Sequence, residues 1–171
     1  MPLGRLFGRN TWSGPLAVLL LCACSSSNQS RDICVRVPIA HVNGLCGTTA
    51  ATTTSFDEPA TDYDSVACFY DGPQVPGPEV RALRFTYHGG ASAAQARLEQ
   101  DRAALVGTIT EVPGIGDLGF YLEDLPTTMS SIHVVGAADY VMVMHNVVSA
   151  QNATLVRQCL TTLATEVLAI R

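Results

Sequence analysis

The stretch SIHVVGAADYVMVMHNVV, residues 131–148, constrains the fold more tightly than any other part of the chain. It reads as two strands turning near Ala137 and Ala138. With Val135 opposite Tyr140, Ile132, Val134, Val141 and Val143 share one face, while His133, Val135, Met142 and Met144 share the other. Side chains alternate across a strand, so both faces of this hairpin are apolar. Such a hairpin belongs at the centre of a sheet with cover on both sides.

The cover has to come from helices, and three stretches offer them. CVRVPIAHVNGLCG places Pro38 at a helix start, spaces Ile39, Val42 and Cys46 along one side and ends at Gly47. Ser92 with Gln95 three residues on has the form of a capping box, opening the helix SAAQARLEQDRAALV, which Gly107 closes. SAQNATLVRQCLTTLATEVLAIR is a long terminal helix with Leu155, Cys159, Leu163, Val167 and Ile170 along one stripe.

The remaining strands are SVACFYD and EVRALRFTYH, the second with Leu83, Phe85 and Tyr87 opposite Arg84, Thr86 and His88. TITEV and GFYLED are also extended, TTATTTSF is polar enough for a sheet edge or an extended loop, and FDEPATDYD is an acidic connection. The expected fold is α+β: an antiparallel sheet of five to seven strands with a short N-terminal helix, a middle helix and a long C-terminal helix packed on it. Residues 32–171 suffice for one such domain.

Between TITEV and GFYLED, the run G-I-G-D-L-G matches the glycine pattern that holds a dinucleotide pyrophosphate. That chemistry needs a helix N-terminus after the glycines. Gly119 leads instead into Phe120, Tyr121 and Leu122, an extended run, so no nucleotide cofactor is expected. The run reads as a tight turn in which Gly114 and Gly116 supply special backbone angles, Asp117 bonds turn amides and Phe120 returns to the core.

The first ten residues carry Arg5 and Arg9 and no acid, and the apolar run LAVLLL that follows Pro15 is too short to span a bilayer. Leu21, Cys22 and Ala23 before Cys24 resemble the bacterial lipobox. The resemblance implies a signal peptide over 1–23, cleavage, and lipidation of Cys24 by diacylglycerol, with acylation of the new amino terminus by a palmitate-type chain. Residues 24–31 are then the lipidated cysteine and a polar, disordered tether. Ser25 after that cysteine favours the outer membrane in a two-membrane cell, and otherwise the outer face of the cytoplasmic membrane. Loss of Arg5 and Arg9 takes the formal charge from −5 to −7, which disfavours nucleic acid as a partner. The chain has no lysine, which excludes P-loop, Schiff-base and Ser-x-x-Lys chemistry.

An exported domain with Cys34, Cys46, Cys68 and Cys159 suits two disulfides, for which three connectivities are possible. The elements favour Cys46 with Cys159, two inward helical positions, and Cys34, just before the first helix, with Cys68 on a strand. Each bridge would contribute about 2–4 kcal/mol by restricting the unfolded chain.

Taken in order, the lipobox, the Cys34–Gly47 segment, ACFY around Cys68, the VPGIGDLGFY run, the hairpin and the terminal helix resemble small exported lipoproteins of unknown function common in actinobacteria and other GC-rich bacteria. The most specific part is the turn motif Val112, Pro113, Gly114, Gly116 and Asp117, followed by Gly119 and Phe120. The resemblance implies a Cys34–Cys68 bridge, with Cys46–Cys159 as an addition in this chain. It also implies an α+β fold similar to the Mog1/PsbP-like antiparallel sandwich, and it brings no catalytic residues.

Other chemistry finds little footing. His133 and His145 fall on opposite faces of the hairpin and would meet as a metal pair only after a one-residue slip. Asp57, Glu58, Asp62 and Asp64 lack the alternation and central glycine of a calcium loop and read as a solvated acidic loop. No G-x-S-x-G elbow is present. No catalytic, metal or cofactor residue is expected. The expected function is a non-catalytic binding or interaction module of the cell envelope, for an envelope protein or a small ligand. A structural or assembly accessory of an envelope complex is the alternative, and an envelope hydrolase is a third reading that would need a deep pocket with convergent polar groups.

Overall fold

The computed structural model describes residues 31–73, 77–124, 128–146 and 152–171. The signal peptide, Cys24 and residues 24–30 of the expected tether lie outside the described residues.

Seven strands, β1 (Thr52–Pro59), β2 (Tyr63–Asp71), β3 (Pro78–Tyr87), β4 (Thr108–Glu111), β5 (Leu118–Asp124), β6 (Met129–Gly136) and β7 (Asp139–His145), form an open antiparallel sheet in the order β1-β2-β3-β7-β6-β5-β4. Among the described residues four helices accompany it: α1 (Ile33–Arg36), α2 (Ile39–Cys46), α3 (Gly90–Ala104) and the long C-terminal α4 (Ala153–Ala169). The fold is α+β, as the binary pattern requires. The β6–β7 hairpin has the register read from the sequence, with Val135 opposite Tyr140 and Ile132 opposite Val143, and it lies in the interior of the sheet.

One face carries Val80, Ala82, Ile132, Val134, Val141 and Val143 under α1, α2 and α4. Tyr70 is fully buried there, and its hydroxyl donates to the Val37 carbonyl at 2.8 Å, tying the link between α1 and α2 to the sheet. Both disulfides lie on this side: Cys34–Cys68 with Cα atoms 5.2 Å apart, and Cys46–Cys159 with Cα atoms 5.0 Å apart. These are the pairs the elements favour.

The other face carries Phe120, Leu122, Val135 and Tyr140 under Ala94 and Leu98 of α3. Its cover is partial: Met142 and Met144 are half-buried. The expectation that the central hairpin is covered on both sides holds fully for one face only. A single 15-residue helix does not span a seven-stranded sheet.

Four local expectations are corrected. A short helix, α1, precedes Pro38, with the Asp32 side chain accepting from the Cys34 amide at 2.8 Å, so Cys34 lies inside a helix rather than just before one. Helix α3 begins at Gly90 with no side-chain cap, because the glycine pair turns the chain out of β3 directly; Ser92 therefore sits within the first turn and caps nothing. In α4, Leu155 is exposed, and Val156 and Leu160 join the buried stripe in its place. Asp57 and Glu58 lie on the edge strand β1, paired to Val66 and Ser65, rather than in a loop.

Candidate functional site

The partly covered face ends in a cleft between α3 and the β2–β3 pair. Tyr63 on β2 lies opposite Tyr87 on β3, and Ser65 opposite Phe85, which brings three aromatic rings onto one side. The Tyr63 ring meets Phe85 edge-on at 5.4 Å and Tyr87 at 5.5 Å with a 52° tilt, while Phe85 stacks on Tyr140 at 5.9 Å. Ala93, Ala96, Arg97 and Gln100, spaced three or four apart on α3, form the opposite wall. The two alanines keep that wall low. The cleft has a volume of about 480 Å³, with Thr61, Asp62, His88 and Gly89 at its mouth. A smaller pocket of about 70 Å³, reaching Asp101, Tyr140 and Met142, shares its Tyr63, Tyr87 and Arg97 walls.

A directed chain of hydrogen bonds runs from the core to this cleft. Tyr140 donates its hydroxyl proton to Asp101 Oδ2 at 2.6 Å, and Arg97 Nε pairs with Asp101 Oδ1 at 2.9 Å. The Tyr140 oxygen also lies 2.5 Å from His133 Nδ1. Since the tyrosine proton is engaged by Asp101, Nδ1–H must be the donor to it. His133 Nε2 then accepts from Ser131 Oγ at 2.9 Å. Burial holds the imidazole neutral by lowering its pKa to about 4, against the pull of the nearby Asp101 carboxylate. Burial, together with the hydrogen bond to Asp101, pushes the Tyr140 hydroxyl well above its ordinary value. Phe120 stacks on the imidazole at 4.6 Å, sealing it from above.

The Ser131–His133 contact escaped the sequence reading, although its signal is simple. Residues two apart on a strand share a face, and S-x-H on β6 meets that rule. Ser131 is 1 % exposed and His133 2 %, and neither lines the cleft or its pocket. The pair lies within the core.

The turn motif is well defined. Val112 is half-buried against the main core, Pro113 and Gly114 are exposed, and Ile115 plugs into the core. Gly116 has φ +61° and lies so close to Val135 that a Cβ would come within 2.3 Å of its carbonyl oxygen. Only glycine fits there. At Gly119 an added Cβ would strike Val134 Cγ1 at 2.6 Å and the His133 carbonyl at 2.9 Å. Asp117 bonds a neighbouring turn rather than its own: its carboxylate accepts from the Ala137 amide at 3.0 Å, supporting a residue with φ +54° at the β6–β7 turn. The run joins two antiparallel strands and leads into β5, with no helix after it to receive a phosphate.

The remaining candidates are dispersed. His133 pairs with Met142 and His145 with Ser130, which puts the two histidines on opposite faces. Asp64 approaches His88 at 3.4 Å, and His41 pairs with Glu166 at 3.0 Å along a groove of about 400 Å³ between α2 and α4. Among the described residues there is no group of three or more His, Cys, Asp or Glu able to hold a metal ion. No family model matches the chain, and no curated protein matches it.

Proposed function

We propose that this protein is a cell-envelope lipoprotein, anchored through Cys24 after removal of residues 1–23, whose domain binds a small ligand or envelope partner without chemical conversion. In a two-membrane cell it sits at the outer membrane, otherwise on the outer face of the cytoplasmic membrane. The observation that carries the binding role is the cleft: the rings of Tyr63 and Tyr87 at the uncovered end of a sheet face, walled by Arg97 and Gln100. Concave sites with apolar walls and a few convergent polar groups are the usual seats of small ligands. Burial of Ser131 and His133 argues against hydrolysis through that pair.

Two measurements test the reading. Membrane fractionation of cells should find the wild-type chain in the envelope and Cys24→Ala released. Native mass spectrometry of the chain recovered from envelope extract should show a retained low-mass species that a Tyr87→Ala, Arg97→Ala variant loses. Equal retention by both chains would remove the cleft from the function.

A further inference from the structure

We infer that the cleft between α3 and the β2–β3 pair takes a neutral pyranose ring of a saccharide, an inference that rests on the cleft being a ligand seat. Charge narrows the ligand first. Arg97 is paired to Asp101, and His88 is held by Asp64 at 3.4 Å and by the Thr61 carbonyl at 3.1 Å. The lining thus offers no unpaired cation to an anionic ligand. The Arg97–Asp101 pair is neutral as a unit, so an organic cation, drawn by Asp62 and the tyrosine rings, is the competing ligand.

The mixture of groups in the lining favours an uncharged molecule with two kinds of exterior. The rings of Tyr63 and Tyr87 give an apolar floor, and aromatic faces attract C–H groups with partial positive charge. Around that floor stand donors and acceptors in mixture: the Gln100 amide, the Asp62 carboxylate, the Thr61 hydroxyl, the outer nitrogens of Arg97 and the tyrosine hydroxyls. A sugar ring has this double character, with axial C–H groups on its faces and hydroxyls, each donor and acceptor, at its rim. A flat aromatic compound would stack but leave the polar rim without partners, which is costly once water is displaced. At about 480 Å³ the space falls within the usual range for a small-ligand site.

The test uses the full-length chain, purified in a detergent without sugar headgroups and observed by amide NMR. Maltotriose, cellotriose and tri-N-acetylchitotriose are titrated separately, with mannitol as an open-chain polyol, 2-naphthol as a flat aromatic and tetramethylammonium as an organic cation. The expected result is that at least one trisaccharide shifts the resonances of Tyr63, Tyr87, Arg97 and Gln100 saturably, and mannitol does not. Tyr87→Ala should weaken that binding about tenfold or more, while Tyr87→Phe, which keeps the ring and the fold, stays within about threefold. Should 2-naphthol or tetramethylammonium alone bind at these residues, the saccharide is wrong and the cleft stands as a ligand seat. If no probe shifts them, the saccharide falls, while the ligand seat stands or falls with the species retained in the Tyr87→Ala, Arg97→Ala comparison, and mannitol binding as well as the trisaccharides would overturn the role given to the rings.

Discussion

Among the described residues, twenty-two of the main core are buried on one face of the sheet, beneath and within α1, α2 and α4, and both disulfides close that side. On the other, the core beneath α3 buries six. The same central hairpin supplies both faces, so its sequence does not explain the difference. The cover does: α4 presents Val156, Cys159, Leu160, Leu163, Ala164 and Val167 inward, while α3 presents Ala94 and Leu98. Since burial of apolar surface is the main driving force of folding, the first face carries the stability. The second is left with room for a ligand and with a polar chain that a dense aliphatic core would have displaced.

The largest effect expected from this contrast comes from cutting the denser side. Replacing Cys46 and Cys159 together by alanine should cost about 2–5 kcal/mol in urea unfolding, because the bridge spans 113 residues. A loss below 1 kcal/mol would mean that packing alone holds α2 to α4. The second expectation concerns acid. The His133 pKa is lowered by burial to about 4, whereas unfolded imidazole titrates near 6.5. Its contribution is complete above pH 6.5, where neither state is protonated. It is lost as pH falls from 6.5 towards 4, where the unfolded chain takes up the proton first, and amounts to about 3 kcal/mol. Unfolding free energies from pH 7 to 4 should fall more steeply in the wild type than in a His133→Gln chain, which keeps the share of buried His145, whose pKa burial also lowers. Third, Gly119→Ala should cost about 1–3 kcal/mol, because its methyl group would strike Val134 and the His133 carbonyl on the neighbouring strand. A neutral result by thermal melting would show that β5 can shift without disturbing β6. The smallest effect belongs to the open side: Met144→Ser should change stability by less than about 1 kcal/mol, since the side chain is only half-buried. A loss comparable to that of the disulfide would erase the distinction between the faces.

Much of this architecture is legible from local pattern. The central place of the hairpin follows from its two apolar faces, but its register does not follow from alternation, since both sets are apolar; the two-residue turn at Ala137 and Ala138 sets it. Edge placement of β1 follows from TTTS, whose side chains gain little from burial. Cys46 and Cys159 each fall at a helical position that faces inward, which brings the pair together. The extra helix α1 is harder to see, being one turn long and capped through a single Asp32 contact. The start of α3 is misread because Ser92 and Gln95 satisfy a capping pattern that the Gly89–Gly90 turn pre-empts. The cleft is the least legible feature of all. Tyr63, Tyr87 and Arg97 come from three elements, and their meeting depends on where α3 stops covering the sheet, a tertiary quantity that no window of residues contains.

The Cys34–Cys68 bond also has a mechanical meaning. Cys34 stands three residues after Arg31, where the described structure begins, and its partner lies inside β2, which is paired on both sides by β1 and β3. Tension entering from the amino-terminal side therefore passes at Cys34 through a covalent link into the sheet. It is shared across two hydrogen-bonded ladders rather than borne by the single turn of α1. With the bond intact, a pull at Arg31 must part β2 from its neighbours, and with it reduced the same pull first unwinds the single turn of α1, so the oxidation state of one cysteine pair sets which part of the domain bears the load.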